Sequence, residues 1–125
     1  MQITVYYEDT DVGGVVYHSN YLNFCERARS EAFFQKGMTP VLDTGHFVAR
    51  KLEADYFLSA KLGDTLHVET KLLEMRAASF KLEQIIYKNK KKIFSLSIIL
   101  AYITFEGKPQ KIDADTKGLI LSLFE

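Results

Sequence analysis

One stretch of this chain is helical, and almost everything after it alternates. From Ser19 or Asn20, the residues Tyr21, Cys25, Ala28 and Ala32 fall on one helical line, flanked by Leu22, Phe24 and Phe33. Asn23, Glu26, Arg27, Ser30 and Glu31 cover the far side. The central stripe is small, so the helix axis can lie close to its cover, and a sheet curled around it suits that geometry. Ser19 and Asn20 are good N-cap types, and Lys36-Gly37 followed by Pro40 is a good stop.

The remaining segments read as strands. Gln2 to Glu8 alternates, with Ile3, Val5 and Tyr7 on one face, and Asp9 to Tyr17 is a loop around Gly13-Gly14. His46 to Phe57 sets Val48, Leu52, Ala54 and Tyr56 on one face, and Asp64 to Met75 does so with Leu66, Val68, Thr70 and Leu72. Phe80 to Tyr87 pairs with Ile93 to Phe105 through a turn at Lys88-Asn89-Lys90-Lys91. That last strand carries apolar residues on both faces, which predicts a second cover on its outer side and hence oligomerisation. A closing helix spans roughly Asp113 to Phe124. Short connections favour antiparallel pairing, since parallel crossovers need a dozen or more residues. The expected class is α+β, an antiparallel sheet wrapped around one long helix with a short C-terminal helix, in a single domain over residues 1–125.

Bulk properties exclude several functions. Sixteen basic and sixteen acidic residues cancel, which argues against nucleic-acid binding, where a cationic surplus must displace counterions. No apolar run approaches the ~20 residues of a spanning helix. The first residues, MQITVYY, lack the charged and apolar regions of an export signal, and the single cysteine forms no internal disulfide. The expected compartment is the cytoplasm.

The chemistry concentrates between Thr4 and Tyr21. A strand runs into Glu8-Asp9 and then Asp11, two glycines follow, and His18 stands at the expected helix start. A carboxylate facing a helix N-terminus can attack a carbonyl, or direct water at it, while the helix end accepts the developing negative charge. Asp11 has a competing reading as an Asx-turn residue holding the Gly13-Gly14 bend. A calcium loop beginning at Asp9 is weak, because Asn20 stands where the final bidentate acid belongs. Asp9 is assigned a structural role. His18 can act through its backbone N–H or its imidazole. Cys25 reads as core, and His46 and His67 as surface or satisfied polar residues with no metal spacing.

The run Val5-Tyr6-Tyr7-Glu8-Asp9-Thr10-Asp11-Val12-Gly13-Gly14-Val15-Val16-Tyr17-His18-Ser19-Asn20-Tyr21, with Glu26-Arg27-Ala28-Arg29, resembles the hotdog-fold acyl-CoA thioesterases. It is most similar to the 4-hydroxybenzoyl-CoA thioesterase family, in its bacterial branch linked with the Tol–Pal cell-envelope system. Val48 to Tyr56 and Gly63-Asp64 are similar as well. The resemblance implies a hotdog fold, a dimer with a continuous sheet, often a tetramer, and active sites at the dimer interface. It implies Asp11 as the catalytic carboxylate, the His18 N–H as the group polarising the thioester carbonyl, and Tyr7 and the His18 side chain around the site. Gly14, Val15 and Tyr17 would contact the acyl-CoA substrate, with no metal or prosthetic group required. Lys88, Lys90 and Lys91, with Lys92, read either as a solvated hairpin tip or as contacts for the coenzyme A phosphates, with Arg50 and Lys51 weaker candidates. The rival class is a non-catalytic acyl-CoA or acyl-carrier-protein binding module of the cell-envelope and phospholipid system, which has no need of Asp11. A dehydratase of this fold would carry a histidine along the helix, and none is there. Peripheral attachment at the inner membrane is compatible with this branch.

Overall fold

The small-residue stripe sets the architecture. In a computed structural model describing residues 1–125, helix α1 (Asn20–Phe34) lies against the inner face of one five-stranded antiparallel sheet and buries Tyr21, Phe24, Cys25, Ala28 and Phe33. The strands are β1 (Gln2–Thr4), β2 (His46–Tyr56), β3 (Thr65–Met75), β4 (Ser79–Lys88) and β5 (Lys91–Ile103), in the order β1-β3-β4-β5-β2. A second helix, α2 (Ala114–Phe124), closes the far end, burying Ile120 and Phe124. Gly37, at a φ of 71°, ends the turn after α1, where the Met38 N–H reaches back to the Phe33 carbonyl at 3.0 Å. The β4–β5 hairpin turns at Asn89 and Lys90, both at positive φ, as a two-residue primed turn demands.

Three expectations are corrected. The first strand stops at Thr4 rather than Glu8, and Tyr7–Asp9 forms a 3-10 turn. The Asp9 carboxylate accepts the Tyr6 N–H at 2.9 Å, and that local bond replaces the sheet ladder. Tyr6 and Tyr7 therefore both stay exposed within the protomer, instead of one entering the core. In β2, a bulge at Arg50 inserts one residue between the pairs Ala49–Leu100 and Lys51–Ile99. Phe47 and Ala49 thus share the inner face with Leu52, Ala54 and Tyr56, and Val48 turns outward. A second bulge separates Leu72 from Glu74 in β3.

The third correction concerns β5. Its inner face carries Phe94, Leu96, Ile98, Leu100 and Tyr102, all buried. Its outer face carries Ser95 and Ser97, and Ile99 there is flanked in register by Lys51 and Lys81 and is already buried within the protomer. Glu53 and Glu83 flank Ser97. This outer surface is polar around Ser97 and apolar toward the end of the strand, where Ala101 lies in register with Val48 and Ile103 follows. A further uncovered apolar area lies on the inner face of β2, where Leu52 and Tyr56 are exposed and the strand's second edge has no partner.

An aromatic cluster joins α1 to the sheet. Phe94 stacks on Tyr21 at 5.2 Å and meets Tyr56 edge-on at 4.9 Å. Cys25 is wholly buried, and burial pushes its thiol up to about 12.

Phe94→Ala is expected to cost about 3–5 kcal/mol in global stability, read from urea unfolding, because the ring is fully buried between two tyrosines. Asp113 caps α2, its carboxylate accepting the Thr116 N–H at 2.7 Å, and this bond holds its pKa below the usual aspartate value. A depressed native pKa stabilises the fold above the unfolded value of about 3.9, and that contribution is lost as pH falls through the native value. Amide protection factors in the first turn of α2 should therefore fall below about pH 4, and Asp113→Ala should remove that pH dependence.

Candidate active site

Residues 10–16 form a tight hairpin. Thr10 bridges Val16, the Asp11 N–H donates to the Val15 carbonyl at 2.9 Å, and Gly14 N–H donates to the Asp11 carbonyl at 3.0 Å. Gly14 follows that turn at a φ of 80°, the glycine position of a three-residue bulged hairpin. The Asp11 carboxylate folds inward, with Oδ1 accepting the Gly13 N–H at 2.8 Å and the Val15 N–H at 3.4 Å. A Cβ on Gly13 would stand 3.2 Å from that oxygen, close enough to press the carboxylate a few tenths of an ångström away. The Asx turn is real, and it occupies only one carboxylate oxygen. Oδ2 makes no hydrogen bond within the protein.

The chain then enters α1 without capping it. Ser19 already has helical dihedrals and makes no side-chain cap bond. Asn20, the other expected cap, donates its side chain to the Asp9 carbonyl at 2.9 Å and accepts from Asn23 at 3.1 Å. Asn20 N–H bonds the Tyr17 carbonyl, whereas the N–H groups of His18, Ser19 and Tyr21 meet no protein acceptor. Three amide donors thus stand open at the positive end of a 15-residue helix.

Asp9 is 5% exposed and ties these pieces together, holding Tyr6 N–H by its carboxylate and both Tyr17 N–H (2.9 Å) and Asn20 by its carbonyl. The structural role expected for it holds. Tyr7, Asp11, Gly14 and Tyr17 line one open groove of about 790 Å³, together with Thr10, Val12 and Leu62. His18 and Val15 do not line it. Val15 bridges Lys61, and the exposed His18 ring lies 4.4 Å from that of Tyr17.

The lysines lie elsewhere in the protomer. Lys88 pairs with Asp64 at 2.7 Å, and Lys90 lines a separate cavity beside Thr65, His67, Glu69 and Tyr87. Lys91 is exposed at the start of β5, and Lys51 faces Glu53 at 3.7 Å. His67 lies 3.7 Å from Glu69, and His46 stacks on Phe105 at 5.9 Å.

One contact escaped the sequence. The Tyr56 hydroxyl donates to the His18 carbonyl at 2.8 Å, pinning the turn that precedes α1 to the end of β2. Tyr21 does the same from the helix side, its hydroxyl accepting the Ala60 N–H at 3.0 Å. The available signal was the place of Tyr56 as the last alternating aromatic of its strand, a ring that packs with a polar tip left over.

Against this geometry, comparison with known proteins gives a consistent result. The pattern of the thioesterase superfamily matches residues 13–94. The acyl-CoA thioesterase YbgC of Helicobacter pylori is 51% identical over 87 residues, covering 70% of this chain and 65% of that protein, just under two thirds of its length. The acyl-CoA thioesterase YbgC of Haemophilus influenzae is 40% identical over 121 residues, covering 93% of this chain and 89% of that protein. Among solved structures, a probable thioesterase from Bartonella henselae superposes with a TM-score of 0.84 at 33% identity, over 90% of this chain and 97% of that one. With its sheet wrapped on a single long helix, the chain belongs to the thioesterase superfamily and has the hotdog fold.

Proposed function

We propose that the protein hydrolyses acyl-coenzyme A thioesters to the free acid and coenzyme A. The observation that carries this reading is the open amide cluster at His18, Ser19 and Tyr21 following a loop that folds Asp11 back beside a groove. The thioester carbonyl oxygen accepts from the His18 N–H, and charge developing on it is stabilised by fixed donors. One such donor is worth ~3–4 kcal/mol in the transition state. The free Oδ2 of Asp11 then has two routes. It attacks the carbonyl carbon, expelling the coenzyme A thiolate and leaving a mixed anhydride that water cleaves, or it takes a proton from the water that attacks.

A groove this open excludes little water, and Tyr7, Val12, Tyr17 and Leu62 around it are exposed apolar surface. The unpaired edge of β2 offers the cover: a second copy adding its own β2 antiparallel extends the sheet and buries Leu52 and Tyr56. A tetramer built from two such dimers, and coenzyme A phosphates meeting Lys88, Lys90 or Lys91 across a subunit boundary, belong to the same proposal. So does a role beside the Tol–Pal system.

The Asx bond at Asp11 Oδ1 favours a second reading, an acyl-CoA or acyl-carrier-protein binding module in which Asp11 only shapes the loop. Thiol release across a panel of acyl-CoA chain lengths separates the two, since the module releases none.

Asp11→Asn keeps the turn acceptor and is expected to abolish hydrolysis with thermal unfolding unchanged; surviving activity would refute the assignment. Single turnover in heavy-oxygen water labels Asp11 first if it is the nucleophile. Tyr56→Phe is expected to lower kcat about tenfold with little change in KM, because the His18 turn loses its anchor while groove contacts remain.

A further inference from the structure

The inward positions of β4 are Leu82, Gln84 and Ile86, all wholly buried, and then Lys88 at the strand's end. Strand parity therefore turns this lysine toward the helix layer, while Lys90 and Lys91 at the hairpin tip stay exposed. There it meets Asp64, Nζ to Oδ2 at 2.7 Å, with the two side chains 32% and 20% exposed. Every other ion pair of the protein is more open than this one. Asp64 in turn closes a tight turn. Its Oδ2 also accepts the Lys61 N–H at 2.7 Å, and its own N–H donates to the Lys61 carbonyl at 3.0 Å. Burial opposes the charge on Asp64, yet the Lys88 ammonium and the Lys61 N–H hold its carboxyl below the usual aspartate value.

The turn has a second side. Lys61 bridges Val15, and the Val16 N–H donates to the Ala60 carbonyl at 2.9 Å, so the loop bearing Asp11 lies along this segment. Val15 is the residue onto which Asp11 folds back, its carbonyl taking the Asp11 N–H and its N–H reaching Oδ1. Leu62, inside the turn, lines the groove beside Asp11. Burial pushes the Tyr21 hydroxyl up, and the charges of Asp64, Asp11 and Lys88 all bear on it, which gathers the three around the start of α1. The path from Lys88 to the Asp11 carboxylate is thus an ion pair, a turn and a bridged pair of segments. Lys88 is one of the lysines offered above to the coenzyme A phosphates, but its ammonium is already committed. A phosphate that drew it away would leave Asp64 charged, partly buried and unpaired.

We propose that Lys88 is a positioning residue: paired with Asp64, it holds the Lys61–Asp64 turn against Val15 and so fixes where Asp11 stands. Its effect on turnover rests on the hydrolytic reading, whereas the strut itself is a property of the loop.

Steady-state kinetics of the full chain on octanoyl-coenzyme A and on S-octanoyl-N-acetylcysteamine, which lacks the phosphates, test the role. Lys88→Met is expected to lower kcat about tenfold on both thioesters with KM for octanoyl-coenzyme A unchanged, as a small displacement of a reacting group does. Asp64→Asn should match it, the double variant should be no worse than either single one, and Lys88→Arg should restore most of the rate. Protection of the Val16 amide, read by hydrogen exchange, should fall in Lys88→Met and recover in Lys88→Arg. A raised KM for octanoyl-coenzyme A with the truncated substrate untouched makes Lys88 a phosphate contact and overturns the proposal. Unchanged Val16 protection in Lys88→Met overturns it as well. If the wild-type protein hydrolyses neither thioester, the hydrolytic reading falls, and Val16 protection alone decides on the strut.

Discussion

The reactive end of the molecule depends on one buried carboxylate that takes no part in the proposed chemistry. Asp9 holds the Tyr6 N–H at 2.9 Å, and its carbonyl takes Tyr17 N–H and the Asn20 side chain. A buried charged group is tolerable only when such bonds offset its desolvation. In meeting that requirement, the end of β1, the glycine loop and the first turn of α1 become one unit. The diversion of Asn20 matters most. An asparagine at a helix start would ordinarily satisfy the amides of that first turn, and here it faces backward to Asp9. The donors at His18, Ser19 and Tyr21 stay open because no acceptor of the protein reaches them, and Ser19, already helical, makes no side-chain cap.

The same division between structure and chemistry runs through α1. Its first turn is anchored at both ends of a peptide unit's reach, by Tyr56 on the His18 carbonyl and by Tyr21 on the Ala60 amide, and both tyrosines pack on Phe94. One turn beyond Tyr21, at Cys25, the helix becomes a lid over Gln84, whose three polar contacts are all intramolecular. Fixed amides at one end and the Arg29 guanidinium held on Gln84 further along are two consequences of packing a helix closely enough for side chains to cross the layer.

Much of this was readable from residue order. The small stripe from Tyr21 to Ala32 placed α1 within the sheet, Gly37 ended it, and Asn89-Lys90 set the hairpin, because each is a local preference with no competitor. What escaped was decided by competition. Gln2 to Glu8 alternates well enough for a long strand, yet Asp9 offers Tyr6 a nearer acceptor than the neighbouring strand does. Val48 fits the apolar face of β2 until Arg50 bulges and inverts the parity. On β5, Ile93 reads as outward by strict alternation but joins the core, because the register shifts beside it, and Ser95 and Ser97 make the middle of the outer face polar. At the candidate site, the Gly13-Gly14 loop and Asp11 were legible as a motif. The Tyr56 bond was not, since it joins residues 38 apart.

The silence of Cys25 has a practical side. It is the chain's single sulfhydryl, sealed beneath α1 and held protonated by its surroundings up to about 12. A chromogenic disulfide reagent added to the folded protein therefore finds nothing of the protein's own to colour. Any signal in its presence comes from outside the polypeptide, and the reagent reaches this sulfur only when the helix lifts from its sheet.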